Sequence, residues 1–571
     1  MFPSALDRVR AAYRRISETG RPEIWISLRP QAELEAEARA LDARRPGDPG
    51  DPDGGAAAGP GGETSGRTAD ATSGDAALPL AGRLLAVKGN IDVAGLPTTA
   101  GCPSYGYLPD RDAPVVARLK AAGALVLGTT NMDQFATGLV GTRSPYGAVR
   151  NAHAPERISG GSSSGSAVAV ALGIADLALG TDTAGSGRVP AALNGIVGLK
   201  PSRGLLPTDG VVPACASLDC VSVFARTLPE ARLALALAAG PAGSAAPRRA
   251  PGPWRVAVPP LAQLGPLDRG WAAAYRAAAA RLAAAGARLA AVDLTAFTEA
   301  AALLYEGAFV AERYTAVGAF VDRGGPGLDP VVAGIIGRAR DIPAHRLFAD
   351  QARLAALRAT ALAALGDADA LLLPTTPDHP TLAEVAADPL GVNARLGRFT
   401  NSTNLFDLAA VAVPAGEPHG RPFGVMLIGP AGTDDRLAAI AGLLPPPSRL
   451  AVVGAHLTGQ PLNPQLLALG GRLLRTTATA PVYRLYALRT EPAKPGLVHV
   501  GAGGAAIETE IWELPPAGLG ELAGALPRPM TIGRVTLADA TTVPGFLCEP
   551  SALDDALDIT SYGGWRAYLN R

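Results

Sequence analysis

Three short segments of this 571-residue chain hold the residue types that nucleophilic chemistry needs. The first is SGGSSSGS, residues 159–166, and the second is GTDTAGSGR, residues 180–188, which places Ser186 in a glycine-rich turn. The third is LLAVK, in which Lys88 ends an apolar run and precedes a glycine. A serine attacks a carbonyl only when a base takes its proton, and burial lowers the pKa of a lysine enough to make it such a base. Together, the segments are compatible with a serine nucleophile served by a lysine.

Each segment taken alone also has an ordinary structural explanation. A Ser/Gly run behaves as a flexible spacer, a serine in a glycine-rich turn is commonly structural, and a lysine at a strand end commonly reaches solvent. The spacer explanation is weakened because the run leads directly into the apolar residues 167–172, which indicate an ordered, buried segment. None of the six histidines lies in a recognisable motif for a Ser-His-Asp arrangement. The lysine therefore remains the candidate base.

Taken together, Lys88, the serine-glycine run and the stretch GTDTAGSGRVPAALNGIVGLKPS resemble the amidase signature family over about residues 80–444. The resemblance implies a Ser–Ser–Lys triad, with Lys88 as the base, Ser162 as the bridge and Ser186 as the nucleophile. It also implies a cis peptide bond between Gly161 and Ser162. The next serines of the run would have supporting roles, namely Ser163 and Ser164.

The turn that carries Ser186 is expected to hold the oxyanion of the reaction. Consecutive backbone N–H groups in such a turn point at one place, which is where a tetrahedral oxyanion would lie. The expected donors are the N–H groups of Thr183, Ala184, Gly185 and Ser186. Asp182 and Arg188 flank the turn, and we expect them to pair and brace it, which is a structural and not a catalytic role.

Three features bear on which amide is the substrate. The turn reads AGSGR, whereas the commoner family pattern has glycine first and an apolar residue after the serine. Residues 303–317, LLYEGAFVAERYTAV, predict one helix that brings Tyr305 and Arg313 within about 80° of each other around its axis. Such a pair could clamp a carboxylate, although an arginine at an interface or on the surface is an equal alternative. A further domain, residues 450–571, follows the amidase part.

With PEIWISL and VVPACASLDCVSVFA, these features resemble the allophanate hydrolase branch of the family. The resemblance implies that the substrate is allophanate (urea-1-carboxylate), that a urea carboxylase is the functional partner, and that the protein forms a homodimer. It implies no metal, nucleotide or biotin cofactor. Two alternatives stay open: a signature amidase of another kind, malonamide-type or amidotransferase-like, and a non-catalytic scaffold with an amidase shape.

The C-terminal domain contains two candidate histidines. The resemblance implies that this domain decarboxylates the N-carboxylated carbamate that remains once ammonia has left allophanate. His456, in GAHLTGQPLN, is the titratable group of the domain's opening motif, and histidine is well suited to supply a proton near neutral pH. A core histidine satisfied by backbone is an equal alternative. His499, in GLVHVGAGG, is the second candidate.

The elements that must position these residues alternate between strand and helix from residue 80 to residue 444, which predicts an α/β sheet with its ligands beyond the strand ends. We expect an amidase signature fold, a mixed sheet covered by helices on both faces, and a small α+β C-terminal domain. The expected divisions are a helical leader, 1–79, an amidase domain, 80–444, and a C-terminal domain, 450–571. Residues 46–77 are rich in Gly, Pro, Asp and Ala and are predicted to be disordered.

Composition excludes several other classes of protein. Lys plus Arg and Asp plus Glu are both 51, so nothing indicates binding to nucleic acid or to an anionic membrane surface. The four cysteines lack zinc spacing and favour a reducing compartment. The first residues lack the apolar core of a secretory signal, and no uncharged apolar run reaches the length of a membrane span. We therefore expect a cytoplasmic protein with no membrane association.

Overall fold

The computed structural model describes residues 4–44, 78–240, 253–444, 448–514 and 516–571. The chain divides into two compact units, Met1–Leu444 and Pro445–Arg571. The predicted disordered segment, 46–77, lies outside the described residues. No helix among the described residues is long and apolar enough to cross a bilayer.

A mixed sheet forms the centre of the first unit. Its strands are β1 (Trp25–Leu28), β2 (Leu84–Lys88), β3 (Leu125–Thr130), β4 (Leu177–Asp182), β5 (Val197–Lys200), β6 (Cys220–Ala225), β7 (Arg255–Val258), β8 (Arg288–Ala291), β9 (Ala370–Pro374), β10 (Leu408–Gly416) and β11 (Phe423–Pro430). Their order across the sheet is β1-β3-β2-β4-β6-β5-β10-β11-β9-β7-β8. β2 runs parallel to both β3 and β4, and β4 is antiparallel to β6.

Helices surround this sheet. They are α1 (Ala5–Thr19), α2 (Gln31–Asp42), α3 (Pro114–Ala121), α4 (Ser164–Ala171), α5 (Val189–Leu193), α6 (Leu228–Ala239), α7 (Leu261–Leu264), α8 (Trp271–Ala284), α9 (Thr295–Glu306), α10 (Ala311–Arg323), α11 (Pro330–Gly337), α12 (Ala344–Leu365), α13 (Leu382–Ala387), α14 (Gly391–Leu396), α15 (Asn401–Leu405) and α16 (Asp434–Ala441).

The central strands are buried on both faces, which explains why they read as continuous apolar runs. In β2, Leu85 and Val87 belong to one hydrophobic cluster, while Leu84 and Ala86 belong to another. Alternate side chains of a strand point to opposite faces of the sheet, so both faces must be covered. The expected architecture, a mixed sheet covered by helices on both faces, is confirmed.

Two expectations about elements of the first unit are corrected. The leader is not separate, because β1 pairs with β3 and α1 places Val9 in the same cluster as Leu84. Residues 303–317 are not one helix, because α9 ends at Glu306 and α10 begins only at Ala311. The Asp350 carboxylate accepts the Ala308 N–H at 2.7 Å, which gives this donor a partner outside the helix.

The second unit is rich in β-structure. Its elements are β12 (Ser448–Val452), α17 (Asn463–Ala468), β13 (Arg472–Ala478), β14 (Tyr483–Leu488), β15 (Lys494–His499), β16 (Glu508–Leu514), α18 (Pro516–Gly524), β17 (Met530–Thr536), β18 (Thr542–Cys548), β19 (Leu557–Asp558) and α19 (Trp565–Leu569). Five strands form one sheet, ordered β13-β16-β12-β18-β17, and three form another, ordered β15-β14-β19. This unit has its own hydrophobic core, which includes Leu450, Tyr483 and Trp512.

Candidate active site

The carboxyl ends of three parallel strands meet at one edge of the large sheet. Lys88, at the end of β2, is in register with Thr130 at the end of β3, and Val87 is in register with Leu179 of β4. Ligands of α/β proteins gather beyond such strand ends. This edge therefore brings Lys88 close to the segment after Thr130 and to the glycine-rich turn after β4.

Lys88 is fully buried and is bonded to two hydroxyl groups. Its Nζ lies 2.8 Å from Ser162 Oγ and 2.7 Å from Thr181 Oγ1. Burial lowers the pKa of Lys88 to about 7, although three buried carboxylates act in the opposite direction, namely Asp133, Asp219 and Asp182. A substantial fraction of this amine is therefore neutral near pH 7 and able to accept a proton.

The serine-glycine run is ordered, and the peptide bond between Gly161 and Ser162 is cis, as expected. The glycines of the run serve close packing. A Cβ on Gly161 would lie 2.0 Å from Asp133 Oδ2, and one on Gly165 would lie 2.3 Å from the Ile24 carbonyl oxygen. Both contacts are shorter than any side chain tolerates, so the run belongs to a tightly packed site and is not a spacer.

The three serines of the run that follow Ser162 hold the start of α4 against β4 and the end of β3. Ser163 Oγ donates to the Thr181 carbonyl at 3.1 Å, and Ser164 Oγ donates to the Asn131 carbonyl at 3.3 Å. Ser166 Oγ donates to a β4 carbonyl at 2.9 Å. These bonds hold the backbone that presents Ser162 to Lys88.

Ser186 lies in the turn between β4 and α5 and is only 2% exposed. Among the described residues, no hydrogen bond joins Ser186 Oγ to Ser162 Oγ. The turn's N–H groups differ from one another. Gly185 N–H donates to Asp182 Oδ1 at 2.8 Å, so the expectation that Gly185 serves the oxyanion is corrected. The N–H groups of Thr183, Ala184 and Ser186 are bonded to none of the described residues and remain candidate donors.

The predicted pairing of Asp182 with Arg188 is confirmed. Both side chains are completely buried, and two bonds of 2.9 Å join the guanidinium to the two carboxylate oxygens. Burial acts to raise the pKa of Asp182, but the Arg188 guanidinium, together with the Lys200 charge and the Gly187 N–H, holds this pKa below its ordinary value. Asp182 also accepts the N–H groups of Gly185 and Gly187, so the ion pair fixes the shape of the turn.

Tyr305 and Arg313 do meet, although they stand on two different helices. Arg313 Nη2 donates to the Tyr305 hydroxyl at 3.3 Å, and the guanidinium lies 5.4 Å from the Tyr305 ring centre. Its other amine donates to Thr137 Oγ1 at 3.0 Å and to the Ala136 carbonyl at 3.3 Å. Arg313 is 1% exposed, and no described carboxylate lies within ion-pair distance. Arg313 also contributes to lowering the pKa of Lys88, so its charge acts on the same site.

Sequence analysis missed three residues of this site. Asp133 accepts three backbone N–H groups of the loop 140–143 and donates its own N–H to the Ser162 carbonyl at 3.1 Å. Thr181 is bonded to Lys88, and Asp219 accepts the Thr183 hydroxyl. Asp133 had a usable signal, since it follows a buried strand that runs parallel to β2, whereas nothing near Asp219 in sequence indicates its partner.

In the second unit, His456 lines a cavity of about 470 Å³ together with Lys494, Gln465 and Phe546. The His456 ring stacks on Phe546 with centres 4.8 Å apart, and Nε2 lies 3.1 Å from Gln465 Oε1. Burial lowers the pKa of His456, and the Lys494 charge acts in the same direction. His499 is exposed, contacts Tyr483 edge-on and does not line this cavity. Over the described ranges, no three metal-binding side chains come together.

The chain is similar to known proteins over both of its units. Residues 63–438 match the amidase family profile, and residues 448–570 match that of the allophanate hydrolase C-terminal domain. The urea amidolyase of Saccharomyces cerevisiae is 42% identical over 543 residues, which cover 86% of this chain and 30% of that protein. The chain thus spans less than a third of that relative's length.

Two further similarities cover most of the other protein. The structure of Kluyveromyces lactis allophanate hydrolase superposes with a TM-score of 0.67 and 37% identity, and the match covers 100% of this chain and 97% of that one. The 2-amino-5-chloromuconic acid deaminase of Comamonas testosteroni is 37% identical over 381 residues, 64% of this chain and 81% of that protein. The second match leaves out a substantial part of this chain, whereas the first does not.

Proposed function

Because this chain belongs to the amidase family, and its C-terminal segment matches the allophanate hydrolase C-terminal domain, we propose that it hydrolyses allophanate. The first unit removes ammonia by Ser–Ser–Lys chemistry. The second unit removes carbon dioxide from the product.

In the first step, neutral Lys88 accepts the Ser162 proton while Ser162 accepts the Ser186 proton, and Ser186 Oγ attacks the terminal carbamoyl carbon. The tetrahedral intermediate carries an oxyanion, which the N–H groups of Thr183, Ala184 and Ser186 stabilise. Collapse breaks the carbon–nitrogen bond, and the relay returns a proton to the leaving ammonia. Water then hydrolyses the acyl-enzyme by the same route and releases N-carboxylated carbamate. The 2.8 Å contact between Lys88 and Ser162 supports this relay.

The observation that carries the choice of substrate is the unpaired charge of Arg313. A buried guanidinium without a carboxylate is costly, and such a charge is stable where it meets an anion. Allophanate is small and carries a carboxylate, which the guanidinium can bind through two parallel bonds. The Tyr305 hydroxyl, next to Arg313, offers a further donor. A neutral amide would leave the charge of Arg313 unmatched.

In the second step, N-carboxylated carbamate takes up a proton on nitrogen, loses carbon dioxide and leaves carbamate. We place this step in the cavity of the second unit, with His456 as the proton donor and Lys494 as the cation beside it. The position of His456 on the cavity wall supports this role. His499, which is exposed and lies outside the cavity, is not part of the proposal.

We propose that a urea carboxylase supplies the allophanate, acting as a separate protein or as part of the same longer chain. The match covers only 30% of the urea amidolyase, so the rest of that relative is long enough to carry a second activity. We further propose a cytoplasmic homodimer, an assembly that the resemblance implies. Size-exclusion chromatography with light scattering on the purified chain tests the dimer.

The decisive experiment compares ammonia release from allophanate, malonamide and glutamine. We expect kcat/KM to be about 100-fold higher for allophanate than for malonamide or glutamine, because malonamide has no carboxylate and the carboxylate of glutamine lies much farther from its side-chain amide and beside an ammonium. Ser186→Ala should abolish release from every substrate, since no nucleophile remains. A preference for glutamine would instead support an amidotransferase-like amidase, and full activity in Ser186→Ala would contradict the triad.

Arg313→Lys tests whether Arg313 binds the carboxylate of the substrate. The change keeps the charge but removes the planar fork, so kcat/KM should fall by about two orders of magnitude on allophanate and far less on malonamide. Arg21→Lys is the matched control, because Arg21 is also nearly buried but bonds Glu23 and backbone carbonyls elsewhere in the unit. Equal losses on both substrates would show that Arg313 is only structural.

A further inference from the structure

Asp219 is a buried carboxylate that sits between the two halves of the amidase site. It directly precedes β6 and is 6% exposed. Its Oδ1 accepts the Thr183 hydroxyl at 2.5 Å and the Cys215 N–H at 3.3 Å, and its Oδ2 accepts the Ala214 N–H at 2.8 Å. One side chain thus joins the oxyanion turn to the loop that carries Ala214 and Cys215.

That loop continues to the substrate-carboxylate side of the site. Cys215 packs in one hydrophobic cluster with Ala184 of the oxyanion turn and with residues of α9. Tyr305, also on α9, packs against this cluster. Ala214 packs with Ala136, whose carbonyl accepts a bond from Arg313. Asp219 therefore ties the group that would hold the oxyanion to the groups that would hold the carboxylate.

The bonding pattern of Asp219 requires a carboxylate. Each of its two oxygens accepts a backbone N–H group, so an amide that accepts the Ala214 N–H would point its own N–H at the Cys215 N–H. Burying a carboxylate is costly unless its bonds are made. The Asp219–Thr183 contact is thus a specific arrangement and not a general feature of a strand end.

We propose that Asp219 is a positioning residue of the amidase reaction: it holds Thr183 of the oxyanion turn and the Ala214–Cys215 loop in one fixed arrangement, so that the scissile carbonyl and the substrate carboxylate are held together. This role rests on the proposed amidase function but not on allophanate as the substrate. Loss of Asp219 should slow the hydrolysis of a neutral amide and of an anionic one, whereas loss of Arg313 should slow mainly that of the anionic one.

The charge of Asp219 gives a second measurable effect, on Lys88. The charged groups that act on Lys88 are Asp133, Asp219 and Asp182, which raise its pKa, and Arg313, which lowers it. Burial raises the pKa of Asp219 itself, but the Thr183 bond favours its ionised form. Removing a negative charge that favours the ammonium makes Lys88 easier to deprotonate. The acid limb of kcat/KM should therefore move to lower pH.

The test uses the full chain and malonamide as well as allophanate, with Asp219→Asn, Thr183→Val and the double variant. We expect each single variant to lower kcat about 10- to 100-fold on both amides with little change in KM, because a transition-state contact is misplaced. The double variant should lose little more than either single one, because both changes remove the same contact. In Asp219→Asn the acid limb should also shift to lower pH.

Asp434→Asn is the matched control. Asp434 accepts the Ser202 hydroxyl at 2.5 Å and the Ser202 N–H at 2.8 Å, a similar arrangement that does not act on Lys88. It should leave kcat and the acid limb unchanged. The proposal would be overturned if the losses of kcat in the two single variants added up in the double variant. It would also be overturned if Asp219→Asn lowered kcat but left the acid limb of kcat/KM at the wild-type pH. If Asp219→Asn fails to fold, Thr183→Val alone tests the proposal, and a wild-type kcat in Thr183→Val would overturn the proposal.

If no variant or wild-type preparation turns over any amide, the proposed amidase function fails and not this inference alone. Activity on malonamide with none on allophanate would leave the Asp219 test intact and refute only the substrate. The two failures are therefore distinguishable in the same set of assays.

Discussion

At the scale of single residues, the proposed site depends on one amine that burial leaves partly neutral near pH 7, so that it can accept a proton. Lys88 is 0% exposed to solvent and forms no ion pair with a described carboxylate, so desolvation is the main influence on its protonation. The hydroxyls of Ser162 and Thr181 hold its nitrogen at 2.8 and 2.7 Å. A lysine at an exposed strand end would keep its ordinary pKa and could not act as a base near neutral pH.

We predict an acid limb near pH 7 in the activity of the free enzyme. The burial that lowers the pKa of Lys88 to about 7 means that kcat/KM on malonamide rises as pH increases through this value, since only the neutral amine accepts a proton. A pH–rate profile measures it. Lys88→Ala should lose at least about three orders of magnitude in rate because the relay has no base. A limb centred near pH 10 would contradict a buried base.

We predict the opposite pH dependence for the second step. Burial lowers the pKa of His456, so its protonated form accumulates only at acidic pH, and a proton donor acts in that form. Clearance of N-carboxylated carbamate, followed by carbon NMR in the full chain, should quicken as pH falls. In His456→Ala this dependence should disappear while first-step ammonia release persists. Clearance by His456→Ala as fast as wild type would show that the histidine is structural.

At the scale of elements, the turn between β4 and α5 is held by a buried ion pair. Arg188 bonds both oxygens of Asp182 and also reaches Thr403 Oγ1 and Asn404 Oδ1, each at 2.8 Å. The pair therefore connects the turn to α15. The short α5 does not need intrinsic helical stability, because these contacts determine where it begins.

We predict that Arg188→Ala destabilises the first unit strongly. The change leaves Asp182 as an uncompensated buried charge, which costs about 3–5 kcal/mol in the free energy of unfolding. Arg232→Ala is the control, since Arg232 pairs with Asp435 on the surface and its loss costs about 1 kcal/mol or less. Thermal and denaturant unfolding of the two variants should differ clearly. Similar midpoints would mean that other contacts hold the turn.

At the scale of the whole molecule, two units with separate cores divide the proposed reaction. The first unit carries the triad at the edge of its large sheet, and the second carries the His456 cavity. The division assigns amide hydrolysis to one core and decarboxylation to the other.

We predict that a chain ending at residue 444 still releases the first ammonia. The first unit has its own hydrophobic clusters, so the shortened chain should fold, which circular dichroism checks. N-carboxylated carbamate should then accumulate in carbon NMR, because the second unit is missing. A folded fragment that clears the intermediate at the full-length rate would show that the second unit is not needed for decarboxylation.

The sequence by itself determined most of the strands that carry the site and the compact motifs that hold the three residues proposed as a triad. Buried strands such as β2 and β4 are apolar on both faces, and this pattern is local. The residues of the triad stand in compact motifs, and Asp182 and Arg188 lie six residues apart, so their pairing could be predicted. The motif also specified a turn with free N–H groups, although it could not tell which of them would be free.

Only the tertiary structure decided the contacts between residues far apart in the chain. Asp219 lies 36 residues from Thr183, and Asp350 lies 42 residues from the Ala308 N–H that it accepts, next to the extended Gly307 at which one predicted helix becomes two. Gly185 N–H turned to Asp182 because the folded turn brought a carboxylate within 2.8 Å. Short-range patterns report periodicity and local preference, whereas the partner of a buried polar group depends on which distant segment packs against it.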